Sequence, residues 1–249
     1  MSINRFRFFL FLPAGALLFA MLLGGCADSG MSAYRQKDYA GALQEFRAEG
    51  DPEGDFAVGV MHYKGEGVKR DPAEAARWFR RAAAGGHAGA QYNLGLLYLR
   101  GEGVDKDLPE AFRWFHMAAV QGYVKARYNL GLMYAKGEGV RKDRSEAARW
   151  FRLAAEQGYV NARIDLAFMY LKGDGVAKDR REAFHLMQEA AGQGDGKAEL
   201  LVGLMYARGI GVARNRYEAA RWLQKAADQG YFQADTYLKE LEEGADPNP

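Results

Sequence analysis

Residues Ala90 to Lys125 read AQYNLGLLYLRGEGVDKDLPEAFRWFHMAAVQGYVK. Displaced by 36 residues the stretch returns as Ala126–Asn161, Ala162–Lys197 and Ala198–Gln233, and displaced backwards it fits Gly54–Gly89. Gly65, Gly101, Gly137, Gly173 and Gly209 keep that spacing, as do Trp78, Trp114, Trp150 and Trp222, with Leu186 in the remaining slot. A fixed period of about 20–50 residues marks a solenoid, in which one unit cannot bury its apolar face alone and stacking supplies the core. The question of function becomes what a stacked helical surface binds.

Within one unit, Leu94, Leu97 and Tyr98 fall at i, i+3 and i+4, the helical period, with small Ala90 and Gly95 between them to admit a close neighbour. Gly101-Glu102-Gly103-Val104 then offers two glycines for a tight turn and a valine to return to the core. A capping residue stands three places before a glutamate in every unit: Asp71…Glu74, Asp107…Glu110, Asp143…Glu146, Asp179…Glu182 and Asn215…Glu218. The spacing predicts a capping box, the glutamate reaching back to the cap, worth about 1 kcal/mol per helix. Ala111, Trp114, Phe115, Ala118 and Ala119 form the apolar face of a second helix, and Gly86, Gly122, Gly158, Gly194 and Gly230 are placed to end these helices. The expected fold is all-α, a right-handed α-solenoid of five helical hairpins at 54–89, 90–125, 126–161, 162–197 and 198–233.

The pattern A-x-Y-N-L-G-x-x-Y-x-x-G-x-G-V-x-x-D-x-x-x-A-x-x-W, seen in Ala90–Trp114 and Ala126–Trp150, resembles the Sel-like repeat, a relative of the tetratricopeptide repeat. The resemblance covers about Gly54–Gln233. Unit four departs from it with Ala167 for glycine and Leu186 for tryptophan; unit five has Ile210 in place of an acid, and Leu200-Leu201 in place of Tyr-Asn. Met31–Glu49 resembles a degenerate tetratricopeptide unit, because Ala42 and Phe46 lie 33 residues before Ala75 and Phe79. This assigns 31–53 to an N-terminal cap, 234–243 to a charged C-terminal capping helix and 244–249 to a disordered tail.

Residues 1–25 read as a targeting segment: Arg5 and Arg7 precede the apolar run Phe8–Leu23. Leu23-Gly24-Gly25-Cys26 resembles the lipobox of bacterial lipoprotein signals, which implies a lipid on Cys26, a tether at 26–30 and a chain facing the periplasm. Cys26 is the single cysteine, so no intrachain disulfide competes for it. The aspartate is Asp28 rather than residue 27, which by the same resemblance favours the outer over the inner membrane. The net charge of +2 includes Arg5 and Arg7; without residues 1–25 the chain has 32 basic and 32 acidic residues. A neutral chain gives no support for nucleic-acid partners.

Catalytic chemistry finds little footing. His62, His87, His116 and His185 occupy unrelated positions of the repeat and read as incidental; no metal or cofactor motif is present. Ser145 is the one serine within the repeats and lacks a nucleophile elbow. Some Sel-like proteins are assigned β-lactamase-type activity, but that subgroup carries a cysteine pair in each repeat and this chain does not. Met61, Leu97, Met133, Met169 and Met205 are expected to fill gaps between helices. Lys64, Arg100, Lys136, Lys172 and Arg208 close the first helices, where a cation offsets the helix dipole. The tetratricopeptide resemblance implies a second use: Asn93, Asn129, Arg100, Lys136 and Lys172 would line a concave face and hold a peptide. The expected function is a non-catalytic scaffold with a protein or peptide partner. An accessory subunit of an envelope polysaccharide or secretion assembly is the first alternative, and a hydrolase of cell-wall or β-lactam substrates a weaker one.

Overall fold

A computed structural model describes residues 28–243. The targeting segment, Cys26, Ala27 and the tail 244–249 lie outside the described residues.

The described chain forms thirteen helices: α1 Asp28–Arg35, α2 Tyr39–Glu49, α3 Pro52–Lys64, α4 Pro72–Ala84, α5 Ala88–Arg100, α6 Leu108–Val120, α7 Val124–Lys136, α8 Arg144–Glu156, α9 Val160–Lys172, α10 Arg180–Gly192, α11 Gly196–Arg208, α12 Arg216–Asp228 and α13 Phe232–Glu242. Each helix packs on its sequence neighbours, and no strand occurs among the described residues. The fold is an all-α solenoid. Its two layers are traced by contacts that skip one helix. Tyr128 of α7 reaches Asp165 of α9 in one layer, and His116 of α6 meets the Trp150 ring of α8 edge-on in the other.

The helix ends follow the capping chemistry, with one correction. Asp71, Asp107, Asp143, Asp179 and Asn215 each accept from the N–H three residues on, at 2.9–3.1 Å. The glutamates do not reach back. The cap N–H groups of Asp71, Asp107, Asp143, Asp179 and Asn215 donate instead to the carbonyls of His62, Tyr98, Tyr134, Tyr170 and Tyr206, nine residues earlier. With that donor taken, Glu74, Glu146 and Glu218 turn outwards to Arg77, Arg149 and Arg221 at 3.0–3.2 Å, and Glu110 pairs likewise with Arg113. These are the i, i+3 ion pairs of an exposed helix face. Gly86, Gly122, Gly158, Gly194 and Gly230 stand two residues past the second helices, just beyond the C-cap, at φ between 81° and 92°, the left-handed conformation of a C′ residue.

The core is built from one contact per unit. Gly59, Gly95 and Gly131 on the first helices lie against the rings of Phe79, Phe115 and Phe151 on the second; a Cβ on Gly95 would stand 2.8 Å from the Phe115 ring. Unit four replaces both partners together, with Ala167 and Met187 fully buried in one cluster, so its departure from the pattern is a matched exchange. Met61, Leu97, Met133, Met169 and Met205 are all buried, as gap-fillers should be. Trp150 and Trp222 are buried, whereas Trp78 and Trp114 are half-buried. Val104 and Val140 pack against the core from the turns, also half-buried.

A column of changing residues ties consecutive units. Gln91 donates to the carbonyl of Ala83 and accepts from Gln121. In the same position of the next unit, Arg127 donates to the carbonyls of Ala119 and Leu153, at the ends of α6 and α8. One unit on, Arg163 donates to the Glu189 carbonyl, and Glu199 accepts from Gln229. A guanidinium here satisfies orphan carbonyls at two helix C-termini, where the dipole also favours a cation.

The array begins earlier than the sequence suggests. Helix α1 starts at Asp28, inside the stretch read as a tether, because Gly30 is buried against Phe46: a Cβ there would lie 2.8 Å from the ring. At the far end Lys239 occupies the position held by Gly59, Gly95, Gly131 and Gly203. A lysine at this position does not admit the close approach that the glycines allow a second helix.

Candidate ligand groove

Helix α7 is fixed by Leu130 and Met133, both buried, and by the Gly131–Phe151 contact. Residues seven apart on a helix share a face, so Asn129 and Lys136 emerge on the same side, as do Asn93 and Arg100 on α5. The outcome is a cavity of about 500 Å³ lined by Leu99, Arg100, Lys106, Phe115, Asn129, Leu132, Met133, Lys136 and Glu138. Three residues expected to bind a peptide, Arg100, Asn129 and Lys136, therefore meet around one groove. Asn93, half-buried on α5, and Lys172, exposed at the end of α9, do not line it.

Asn129 is the informative side chain. It is 4% exposed, and its Nδ2 completes no hydrogen bond. Burial raises the pKa of the neighbouring Tyr92, and the Asn129 amide is close enough to oppose that rise. Buried amides are nearly always paired, because leaving one unmade costs about 1–3 kcal/mol. Lys136 sits 3.9 Å from Glu138 across the rim.

One residue in register with the groove asparagine escaped the sequence reading. Asp165 occupies the position of Asn93 and Asn129 in the next unit, and its Oδ2 accepts from the Tyr128 hydroxyl at 2.9 Å. Burial pushes its pKa above the usual aspartate value, against the opposing pull of the Tyr128 bond and the charges of Lys197 and Lys136. Burial also raises Tyr128, helped by the Asp165 charge, and lowers Lys125 at the start of α7. The register position itself was the signal that could have found Asp165.

Two histidines turn out to be structural rather than incidental. His87 Nδ1 accepts from the Ala90 N–H and so caps α5, while its ring stacks on Phe56 with centroids 4.2 Å apart. Its Nε2 lies 3.1 Å from Glu53, a bond that chiefly holds the Glu53 carboxyl below its ordinary pKa. Tyr123 and Tyr159 take the same place beside Tyr92 and Tyr128, with the rings tilted and their centroids 4.9 and 5.0 Å apart. His62 is buried beside Arg47, and its pKa is lowered by burial and then by that charge.

The groove lining supplies cations, an amide and one carboxylate, with no hydroxyl, thiol or imidazole. Such a set suits polar and anionic groups.

A family model described as the Sel1 repeat matches residues 52–87, 88–123, 124–159, 160–195 and 196–231. The chain belongs to the Sel1 repeat family. The matched units start two residues before those drawn from the sequence, at the first residues of α3, α5, α7, α9 and α11. A Sel1 repeat protein from Oxalobacter formigenes is similar over 88% of each chain, at 33% identity and a TM-score of 0.76. The protein c5321, a protective antigen of uropathogenic Escherichia coli strains with an SLR fold, is 38% identical over 80% of this chain, with a TM-score of 0.76. The match spans 43% of that antigen's length. A comparison with curated protein sequences finds no match. Sel1 repeat proteins are generally protein-interaction scaffolds.

Proposed function

We propose that this Sel1 repeat protein is a non-catalytic scaffold that holds an extended peptide of a partner protein in the groove between α5 and α7. The observation that carries the reading is Asn129: a buried amide whose Nδ2 has no well-formed hydrogen bond, lining a groove that Arg100 and Lys136 make cationic. An incoming carboxylate or backbone carbonyl completes what the fold leaves open. Replacing Asn129 and Lys136 together by alanine is expected to weaken partner capture well over tenfold, at about 1.5–3 kcal/mol for a hydrogen bond to a charged group. Helical content and melting temperature should stay near wild type. Arg113→Glu and Arg149→Glu, in the other layer, should matter little. Affinity measured on the purified full chain decides: binding that survives the double change and collapses on the arginine changes places the site on the other layer.

The same reading places the scaffold on the bacterial envelope, anchored through a lipid on Cys26 and facing the periplasm, with the outer membrane favoured. Leu23-Gly24-Gly25-Cys26 and the single cysteine support it. Acyl chains hold a membrane at about 0.8 kcal/mol per buried methylene. Cys26→Ala should therefore move the protein from the membrane pellet to the soluble fraction with its helical spectrum unchanged. A variant that stays in the pellet with residues 1–25 still attached would show Phe8–Leu23 to be the anchor.

A further inference from the structure

The asparagine position along α5, α7 and α9 changes character within three units: Asn93, Asn129, Asp165. In the groove the polar groups are Arg100, Lys106, Asn129 and Lys136, with Glu138 at the rim. One unit further on, the same position presents a carboxylate withdrawn from water and held at Oδ2 by a neutral phenol, Tyr128, at 2.9 Å. Tyr128 is itself fixed by the Tyr159 ring, so the carboxylate is held by a rigid partner. The nearby charges of Lys136 and Lys197 oppose the cost of its burial without removing it. A cation brought to this position from a ligand adds to the compensation that Lys136 and Lys197 already give, because a half-desolvated carboxylate gains more from an ion pair than an exposed one.

On the groove reading above, we infer that the bound segment is bipolar: an acidic side chain between Arg100, Lys106 and Lys136, and a lysine or arginine one unit along, over Asp165. Asn129 in the groove and Asp165 beyond it set the polarity in which the segment lies. An amide at position 129 accepts either sign of hydrogen-bonding group, while the aspartate at 165 selects for a cation. The pair excludes segments that continue as acidic runs, which meet repulsion at Asp165. Lys197, whose charge acts on Asp165, lies with its ammonium 5.8 Å from the Phe168 ring centroid.

The test uses the full chain in detergent and short fluorescent peptides on a glycine–serine background. One series carries a glutamate and a lysine at spacings varied residue by residue, in both orders; others carry the glutamate alone, the lysine alone or neither. The best acid–base peptide is expected to bind about tenfold tighter than the acid-only peptide, in one order only. Asp165→Asn should erase that advantage and leave acid-only binding as it was, whereas Lys136→Gln should weaken both peptides. Equal binding of the two peptides, or an advantage that survives Asp165→Asn, overturns the bipolar assignment and leaves the groove reading intact. No binding by any peptide to a chain with a native helical spectrum overturns both.

Discussion

Gly139→Ala should be among the most damaging single-methyl additions in the molecule, lowering stability by roughly 2–5 kcal/mol. Two causes add. Gly139 lies at φ 71°, where an L side chain costs about 1–2 kcal/mol. A Cβ there would also stand closer than 3.0 Å to the carbonyl of Leu108, the first residue of α6. That obstacle is backbone in the first turn of the preceding unit's second helix and cannot swing aside. The same approach recurs for Gly103 on Pro72, Gly175 on Arg144 and Gly211 on Arg180, so the second glycine of each turn is an inter-unit contact. Gly158→Ala provides the comparison, with φ 82° but its nearest atom at 3.7 Å, on the flexible Gln193 side chain. Chemical denaturation should show the conformational penalty alone for Gly158→Ala and the larger loss for Gly139→Ala. Equal losses would mean the turn does not press on the preceding unit.

This contact shows what the sequence could and could not disclose. The period, the two helices per unit, their caps and their C′ glycines were legible because each depends on local chemistry within a few residues. The doublet of glycines was read as a turn requirement, which holds for the first glycine; the second answers to a backbone 31 residues earlier, which no local pattern reports. The glutamates misled for a similar reason. Their spacing matched a capping box, yet the cap N–H had already been claimed by a carbonyl across the turn. The column Gln91, Arg127, Arg163, Glu199 was invisible because its residue type changes while its task, bridging helix ends, does not. In the groove, Arg100, Asn129 and Lys136 were legible through a shared register; Asp165, one unit beyond it, was not, because its residue type changes while its position does not.

Gly131→Ala is expected to destabilise by about 1–3 kcal/mol through overpacking, and the structure supplies its own rescue. The added Cβ would come closer than 3.0 Å to the Phe151 ring, which is 3% exposed and enclosed by α7, α8 and their neighbours. A ring so held cannot rotate away, and α7 must lift from α8. Unit four has solved the same problem with Ala167 facing Met187, both fully buried. Methionine is narrow and flexible enough to leave room for the extra methyl. Phe151→Met alone should lose apolar contact and open a small void over Gly131. The double variant Gly131→Ala with Phe151→Met should recover most of the loss, since the methyl added on one side fills space vacated on the other. The coupling between the two changes should therefore be favourable by about 1 kcal/mol or more in a double-mutant cycle. Strict additivity of the two losses would show that α7 and α8 do not meet at this pair, and that the exchange in unit four is coincidental.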